Sequence, residues 1–240
     1  MQQSVECEEN LGNWQPPRWP DQTSFDGRYV RLALLSRDHA PSLHAANLAD
    51  DAIWDWMPYG PFASESGYAD WVDSVADGPD PRFHAIFDKE HGDWGGVASL
   101  MRIAPAAGSI EVGHINFAPR LQRTRAATEA MYLLMRWCFE AGYRRYEWKC
   151  NALNLGSRRA AQRLGFSYEG VFRQAAVVKG KNRDTAWFAC IDKEWPALKA
   201  AFETWLSPDN FDADGRQRQS LSDLTAPVRV ASDPLLRDTA

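Results

Sequence analysis

A single strand–turn–helix, residues 110–138, constrains the fold of this chain more than any other stretch. Its first part is apolar and β-branched at Ile110, Val112 and Ile115, as is typical of a buried strand. Pro119 removes a backbone donor and ends that strand. Beyond a polar turn, apolar residues recur at the spacing of an amphipathic helix. They are Ala127, Ala130, Met131, Leu134, Met135 and Cys138.

The turn between this strand and this helix is rich in arginine. Arg120, Arg123 and Arg125 lie in it, next to the first turn of the helix. A helix N-terminus presents unpaired N–H groups and the positive end of the helix dipole, so it attracts anions. The stretch therefore predicts an anion site, which we interpret as a site for a pyrophosphate.

Length, charge and cysteine content exclude several classes of protein. The 240 residues include 45% hydrophobic ones, enough for one domain with a full core. The net charge of -5 disfavours a general nucleic-acid binder, which needs a basic excess. The 4 cysteines lie far apart, without a CxxC pair or a histidine at ligand spacing. We therefore expect neither a structural metal site nor a disulfide framework.

The sequence lacks the signals of membrane insertion. Residues 1–10 are polar and acidic, without the apolar segment of a signal peptide. No run of about 18 apolar residues occurs. We expect a cytoplasmic protein that does not associate with membranes.

Composition divides the chain into three parts. Residues 1–24 contain Trp14, Trp19 and several prolines, which predicts an extended arm whose tryptophans pack on the domain. Residues 25–206 carry the strand and helix patterns of a folded domain. Residues 207–240 are polar and nearly free of aromatic residues, so we expect a tail that is mobile or orders only with a partner.

The domain mixes strands and helices. Strands are predicted over residues 28–35, 83–87, 95–103, 110–117, 144–150, 166–178 and 185–191, and helices over 36–48, 68–76, 127–138, 157–164 and 194–205. This order predicts a mixed α/β (α+β) sandwich with helices on both faces of the sheet. A right-handed crossover would make strands 110–117 and 144–150 parallel neighbours, with a ligand at their carboxyl ends.

Two loops have compositions that allow a functional role. Residues 53–62, which include Trp56, Tyr59 and Phe62, can wall an acceptor pocket or cover a second small core. The charged hairpin turn at residues 179–184 lines the acceptor's entrance or is a solvated tip. The sequence leaves these alternatives open.

Three sequence blocks carry a resemblance to a known family. Residues 122–127, Gln-Arg-Thr-Arg-Ala-Ala, fit the signature Gln/Arg-x-x-Gly-x-Gly/Ala at its first and last positions. Residues 151–157 are similar to the family's Asn-x-x-Ser helix start, and residues 164–166 match the Leu-Gly-Phe that ends this helix. Residues 56–62 are similar to an acceptor-side loop of the family. In this order the blocks resemble the GNAT superfamily of acyl-CoA-dependent N-acyltransferases, and within it the RimJ/RimL-like branch of ribosomal-protein alanine N-acetyltransferases.

The resemblance implies a GNAT-like fold, in which a twisted, mostly antiparallel central sheet splays at one parallel strand pair. It also implies acetyl-CoA as the cofactor, with its pyrophosphate at the start of the central helix and its pantetheine arm between the splayed strands. The cofactor-binding residues that it implies are Asn116, Phe117, Ala118, Gln122, Arg123, Thr124, Arg125, Ala126, Ala127, Asn154 and Ser157. The acceptor would contact Trp56, Tyr59 and Phe62.

One residue departs from the family signature, because Arg125 stands where the family has Gly. A glycine lets the backbone approach a phosphate without a side chain in the way. A guanidinium can instead contact the phosphate through paired donors. The alternative is an ordinary helix start with solvated arginines.

The resemblance also suggests how protons move. Relatives have a serine acid at the position of Ser157, although serine is also a common helix cap. The backbone N–H of Phe117 or Ala118 would polarise the thioester carbonyl.

The general base stays open at this stage. Relatives carry a glutamate on the strand that follows Leu-Gly-Phe. In this chain the aligned position falls near Ala176, whose side chain cannot take a proton. Glu111, His114 and a water chain are the remaining candidates. Strand alternation places Glu111 and His114 on opposite faces of the sheet, so we do not expect them to act together.

These features predict an acetyl-CoA-dependent N-acetyltransferase acting on a primary amine. The acceptor is a protein N-terminus, an amino acid conjugate or a small molecule, and a homodimer is compatible with the sequence. The alternative is a GNAT-like module that binds acyl-CoA or a protein with little catalysis, which Arg125 and the missing glutamate motivate.

Overall fold

The computed structural model describes residues 10–236. Its strands are β1 Ser24–Asp26, β2 Val30–Leu34, β3 Arg82–Asp88, β4 Asp93–Ala104, β5 Ser109–Phe117, β6 Arg145–Asn151, β7 Ser167–Val178 and β8 Lys181–Ile191. Its α-helices are α1 Ala40–Asn47, α2 Glu65–Ala76, α3 Arg125–Glu140, α4 Leu155–Arg163, α5 Trp195–Leu206 and α6 Leu221–Thr225. Short 3-10 turns are Arg37–His39, Asp51–Trp54, Pro105–Ala107, Pro208–Asn210 and Pro234–Leu236.

The strands form one sheet in the order β1-β2-β3-β4-β5-β6-β8-β7. Strands β5 and β6 are parallel, and the other neighbouring pairs are antiparallel. The parallel pair follows from the crossover through α3, because two strands joined by a helix on one face of the sheet run in the same direction. The predicted mixed α/β fold with a parallel central pair is confirmed.

The parallel pair separates before its strands end. Pairing between β5 and β6 runs from Ser109–Arg145 to Val112–Trp148. Strand β5 continues to Phe117 and β6 to Asn151. The carboxyl ends of the two strands therefore splay, and backbone groups that a closed sheet would pair line a gap.

Two hydrophobic clusters hold helices on opposite faces of the sheet. The larger cluster packs α3, α4 and α5 against the sheet and includes Ile110, Val112 and Leu134. The smaller cluster packs α1 and α2 against the other face and includes Trp54 and Phe83. Helix α3 is the most buried helix because its apolar stripe faces the strands, as its period predicts.

A bulge in β5 changes the faces that its side chains occupy. Register against β4 shifts between the Ser99–Gly113 and Val97–Asn116 pairs, and His114 has a left-handed φ of 50°. Because the bulge adds a residue, strict alternation fails there. His114 contacts the ring of Phe83 in the smaller cluster, so it lies on the same face as Glu111. The expectation that these two residues lie on opposite faces is wrong.

The C-terminal segment packs on the domain, in contrast to the mobile tail that its composition predicted. Leu221 and Thr225 of α6 are fully buried. Asp233 is also fully buried and accepts hydrogen bonds of 2.6 Å from both Nε and Nη2 of Arg158 on α4. Arg158 and Asp233 are far apart in sequence, so their ion pair leaves no local pattern. The polar composition of the segment alone therefore predicted a mobile tail. The boundary at residue 206 remains a prediction.

The N-terminal arm contacts the domain over part of its length. Trp14 lies beside the guanidinium of Arg144, 5.7 Å from it, and the hydroxyl of Tyr143 donates to the carbonyl oxygen of Arg18. Trp19 is 42% exposed. The prediction that both tryptophans pack on the domain is therefore confirmed for Trp14 and wrong for Trp19. Within residues 10–236, no helix is long and apolar enough to cross a membrane.

Candidate active site

The gap between β5 and β6 exposes one backbone donor that the sequence singled out. The N–H of Ala118 donates to the carbonyl oxygen of Gly95, at 2.9 Å, so it cannot polarise a bound carbonyl. Neighbouring residues of an antiparallel strand point their backbone groups to opposite sides. The N–H of Phe117 is therefore directed away from β4 and into the gap. Of the two predicted donors, Phe117 fits and Ala118 does not.

The N-terminus of α3 opens beside the same gap. Thr124 is the N-cap, and its hydroxyl oxygen accepts a hydrogen bond of 3.0 Å from the N–H of Ala127. The N–H groups of Arg125 and Ala126 have no acceptor within the helix, because they belong to its first turn. Gln122 donates from Nε2 to the carbonyl oxygen of Phe117, at 2.9 Å, and ties the turn to β5. This geometry suits an anion held by main-chain amides.

The three arginines of the turn have different surroundings. Arg120 donates to the carbonyl oxygen of Trp94 and belongs to the scaffold. Arg123 is exposed and has a left-handed φ of 63°, which leaves its side chain available at the helix start.

The guanidinium of Arg125 is in contact with other side chains of the protein, and its predicted contact with a phosphate stays a prediction. That group lies between the rings of Tyr29 and Phe211, at 4.8 and 5.0 Å, and pairs with Glu90 at 3.2 Å. Phe211 belongs to the C-terminal segment, which the sequence analysis expected to be mobile. The Arg125 side chain therefore packs against that segment, and its backbone N–H, in the first turn of α3, is available for an anion.

Helix α4 brings a second N-terminus to the gap. Asn154 is the N-cap of α4, and its Oδ1 accepts from the N–H of Ser157 at 3.0 Å. Ser157 is therefore not the cap, and the helix begins at Leu155 rather than at residue 157. The Ser157 hydroxyl oxygen accepts a hydrogen bond of 2.9 Å from Nε1 of Trp148 on β6. The cap occupies only the amide oxygen of Asn154, which leaves its amide nitrogen to donate to a ligand.

Glu111 is held in an ion-pair network. Its carboxylate accepts from Nη1 of Arg102 at 2.7 Å and from Nζ of Lys149 at 2.9 Å, and it is 3% exposed. Lys149 also pairs with Glu147, at 2.7 Å, and lies over the ring of Trp187. The two cations hold the carboxylate in place, so the structure favours a positioning role for Glu111.

His114 lies past the end of the parallel ladder, on the face of the aromatic loop. Its ring stacks on Tyr59, with centroids 5.6 Å apart, and its Nδ1 is 3.1 Å from the hydroxyl oxygen of Tyr59. Burial, together with the charges of Arg102 and Arg183, lowers the pKa of His114 to about 4. Burial also raises the pKa of Tyr59 well above its ordinary value. At neutral pH the pair is therefore a neutral imidazole beside a neutral phenol.

The aromatic loop forms part of a core and also faces the gap. Phe62 packs among Trp54, Tyr68 and Trp71 in the smaller cluster. The Tyr59 hydroxyl reaches His114, which supports a role at the site. Trp56 is 41% exposed, and the described residues provide no ring contact to it. The interpretation as a second small core is therefore confirmed for Phe62, and the acceptor-pocket interpretation stays a prediction.

Asn116 and Lys179 complete the surroundings of the gap. Asn116 is 2% exposed and donates from Nδ2 to the carbonyl oxygen of Ile53, at 3.3 Å. Its Oδ1 is buried and has no hydrogen-bond partner among the described residues, so it can accept one from a ligand. Nζ of Lys179 donates to the carbonyl oxygens of Trp54 and Gly60, at 3.2 and 3.0 Å. The hairpin tip is therefore fixed on the aromatic loop rather than simply solvated.

Two polar contacts of the site were not predicted from the sequence. The indole N–H of Trp148 reaches Ser157, and this bond between a strand and a helix leaves no local pattern in the sequence. The ion pair of Lys149 with Glu111 was not predicted either. The alternation of β6 places Lys149 on the face opposite Trp148, and this pattern alone would have brought it close to Glu111.

Comparison with known proteins finds a family and several solved structures that are similar to this chain. The model of the Acetyltransferase (GNAT) domain family matches residues 30–167. A GCN5-related N-acetyltransferase from Brucella melitensis is 46% identical, with a TM-score of 0.87, over 89% of this chain and 99% of that one. A probable acetyltransferase (GNAT family) from Chromobacterium violaceum ATCC 12472 is 38% identical, with a TM-score of 0.74, over 79% of this chain and 96% of that one.

More distant similarity adds information on the fold alone. A Vibrio cholerae protein described as a ribosomal-protein-serine acetyltransferase is 18% identical, with a TM-score of 0.63, over 72% of this chain and 99% of that one. At that identity the likeness does not extend to substrate. No curated protein matches the chain.

Proposed function

The chain belongs to the GNAT acetyltransferase family, and from that premise we propose that it transfers an acetyl group from acetyl-CoA to a primary amine. The acceptor is a protein N-terminus, an amino acid conjugate or a small molecule. The resemblance to the RimJ/RimL-like branch and a cytoplasmic location are part of the proposal, and the sequence does not choose among these acceptors.

One observation carries the proposal, namely the early end of the β5–β6 ladder at Val112–Trp148, beside two helix N-termini. An extended pantetheine arm has amide groups that can pair with the freed strand edges. The buried Oδ1 of Asn116 needs a donor, which such an arm contains. A diphosphate fits the first-turn amides of α3 together with the side chain of Arg123. The residues present thus fit this ligand.

Acetyl-CoA supplies an acyl group activated as a thioester, and the residues of this chain position and polarise it. The N–H of Phe117 points into the gap, where it can stabilise negative charge on the thioester oxygen. Ser157 accepts a hydrogen bond from Trp148 through its oxygen, so it keeps its own proton to donate. We assign Ser157 the role of donating a proton to the leaving sulfur.

His114 is the best remaining candidate for the base. Its lowered pKa keeps the imidazole neutral at pH 7, so the ring has a lone pair to accept a proton. Once the amine has attacked, its nitrogen carries a positive charge and loses a proton readily. A weakly basic imidazole can accept that proton. Tyr59 holds the ring through Nδ1 and orients it. Glu111 positions Lys149 and Arg102 and does not take part in proton transfer.

Isothermal titration with acetyl-CoA, combined with a thiol-release assay over a panel of amines, tests the proposal. We expect one site per chain and release of coenzyme A that depends on the amine. Binding without amine-dependent release would instead identify an acyl-CoA-binding module. Absence of binding would refute both functions.

A further inference from the structure

The guanidinium of Arg183 on β8 is a half-buried charge that the proposed mechanism does not use. Its Nε is buried and has no hydrogen-bond partner among the residues that the structure describes, nor does the group pair with any of their carboxylates. The carboxylate of the adjacent Asp184 is directed elsewhere, since it accepts from the N–H of Gln174, at 2.7 Å, and from Nδ2 of Asn182, at 3.0 Å. A partly buried cation without a counterion costs free energy unless an anion binds it.

The register of the sheet places Arg183 beside the gap between β5 and β6. The last pair between β6 and β8 joins Asn151 to Thr185, and Arg183 lies two residues beyond it along β8. The carbonyl oxygen of Asp184 still accepts from the N–H of Ala152, at 2.8 Å, where the chain leaves β6. Arg183 therefore lies just past the carboxyl end of β6, at the mouth of the gap.

Arg183 and His114 share one face of the sheet. Pairing between β6 and β8 is continuous, so Arg183 alternates along β8 to the same face as Trp187. Nζ of Lys149 lies over the ring of Trp187, at 3.8 Å, and pairs with Glu111. The bulge in β5 brings His114 to the face of Glu111. The charge of Arg183 also contributes to the lowered pKa of His114, as expected of two neighbouring side chains.

Other cations of this face are neutralised by glutamates. Arg102 and Lys149 both pair with Glu111, at 2.7 and 2.9 Å, and Lys149 also pairs with Glu147, at 2.7 Å. In the part of the chain that the structure describes, Arg183 has no such glutamate. The face therefore keeps positive charge at the mouth of the gap, next to the proposed base.

We propose that the acceptor carries a carboxylate as well as its amine, and that Arg183 binds this carboxylate through paired N–H donors. The inference rests on the proposed function, because it names the class of acceptor used at the same site. With its carboxylate on Arg183, such an acceptor directs its amine towards His114. The carboxylate belongs either to a free amino acid or to an acidic side chain at the start of a peptide, and both sources have the same chemistry.

The test compares amines with and without the carboxylate in a coenzyme A release assay, with acetyl-CoA as the donor. One panel sets each common L-amino acid against its own amide, and the other sets C-terminally amidated peptides that begin with Glu against those that begin with Gln. A carboxylate changes the basicity of a neighbouring amine, so kcat/KM is calculated for the unprotonated amine. We expect the wild-type protein to favour the carboxylate in one panel by at least about tenfold, the lower end of what a charged hydrogen bond contributes. That panel identifies the source.

Variants of three arginines separate contact from charge. Arg183→Gln should abolish the preference, with affinity for acetyl-CoA unchanged as evidence of an intact fold. Arg183→Lys keeps the charge but loses the paired donors, so it should keep only part of the preference. Arg102→Gln removes the other guanidinium that acts on His114 and should keep the preference. Arg216→Gln, at an exposed arginine, is the matched control and should also keep it.

Each alternative result has a defined meaning. Equal kcat/KM with and without the carboxylate in both panels, with coenzyme A released, would overturn this inference and leave the proposed function standing. A preference that persists in Arg183→Gln would overturn Arg183 as its cause. A preference lost equally in Arg102→Gln and Arg183→Gln would mean that both act through charge on His114, which contradicts a contact with the acceptor. If no amine released coenzyme A, the proposed function would fail together with the inference.

Discussion

The indole nitrogen of Trp148 donates a hydrogen bond of 2.9 Å to the hydroxyl oxygen of Ser157. This bond joins β6 to the first turn of α4 across the mouth of the gap. It fixes the Ser157 rotamer and occupies a lone pair of the oxygen, so that the hydroxyl proton is directed elsewhere. A donor to the oxygen also strengthens the hydroxyl as an acid.

Replacing the hydroxyl tests this role. Ser157→Ala should lower kcat by about 100-fold, the lower end of general-acid catalysis, with little change in affinity for acetyl-CoA. Trp148→Phe removes the donor and should lower kcat less, because the serine remains. Steady-state kinetics and isothermal titration separate the two effects. Ser66→Ala, at an exposed serine, is the matched control. An unchanged kcat in Ser157→Ala would remove Ser157 from the mechanism.

Two arginines at the start of α3 should respond differently to substitution. Arg123 should affect ligand affinity, and Arg125 should affect the stability of the fold. Arg123→Ala should weaken acetyl-CoA binding by about tenfold and reduce its dependence on salt, because a charged donor to phosphate is lost. Titration at two salt concentrations measures both effects. Equal affinity in Arg123→Ala and wild type would show that main-chain amides bind the anion alone.

Arg125→Ala should instead destabilise the fold by about 1–2 kcal/mol, since the guanidinium packs between two rings. Urea unfolding of this variant, compared with Arg216→Ala at an exposed site, measures the difference. If Arg125→Ala unfolded like wild type, the sandwich between Tyr29 and Phe211 would not contribute to stability.

The buried pair of Arg158 and Asp233 should dominate the attachment of the C-terminal segment. Asp233→Ala leaves a guanidinium buried without its partner and should cost about 3–5 kcal/mol of unfolding free energy. Asp214→Ala, at an exposed aspartate, should cost almost nothing. Denaturant unfolding of both variants provides the comparison. A small loss for Asp233→Ala would restore the expectation of a loosely attached tail.

Two histidines should make the fold less stable in mild acid. Burial lowers the pKa of His84 to about 4, and burial with nearby arginine charges lowers the pKa of His114 to about 4. An unfolded histidine takes up a proton below about pH 6.5, so the unfolded state binds more protons between these values. Stability should therefore fall as the pH decreases from about 6.5 to about 4.

Urea midpoints measured at several pH values check this. His84→Leu should show a flatter pH profile than wild type, because one buried site of differential protonation is removed. His91→Leu, at an exposed histidine, should leave the profile unchanged. Equal slopes for wild type and His84→Leu would contradict the assignment.

The regular elements were predictable from sequence because each is set by a local period. The helical spacing of residues 127–138 and the alternation of residues 146–151 both match observed elements. The bulge at His114 was not predictable, since it depends on register against β4. Local patterns also could not show that Arg125 meets Phe211 or that Arg158 meets Asp233, because these partners lie about 75 or more residues apart.

The sequence could locate candidate site residues, but it could not assign the function of each one. The motif located the helix start, yet the bond from Ala118 to Gly95 excludes one of two equivalent donors. The sequence left Glu111, His114 and a water chain open as the base. Their surroundings separate them, because two cations bind Glu111 while His114 meets an uncharged phenol.

Backbone amide exchange, measured residue by residue by NMR with and without acetyl-CoA, tests the central claim most directly. The claim is that the gap between β5 and β6 receives the thioester and that the N–H of Phe117 binds its oxygen. Saturating acetyl-CoA should slow exchange at Phe117 and leave Ala118, already bonded to Gly95, at its original rate. Exchange at Phe117 that stays unchanged at saturation would contradict the account.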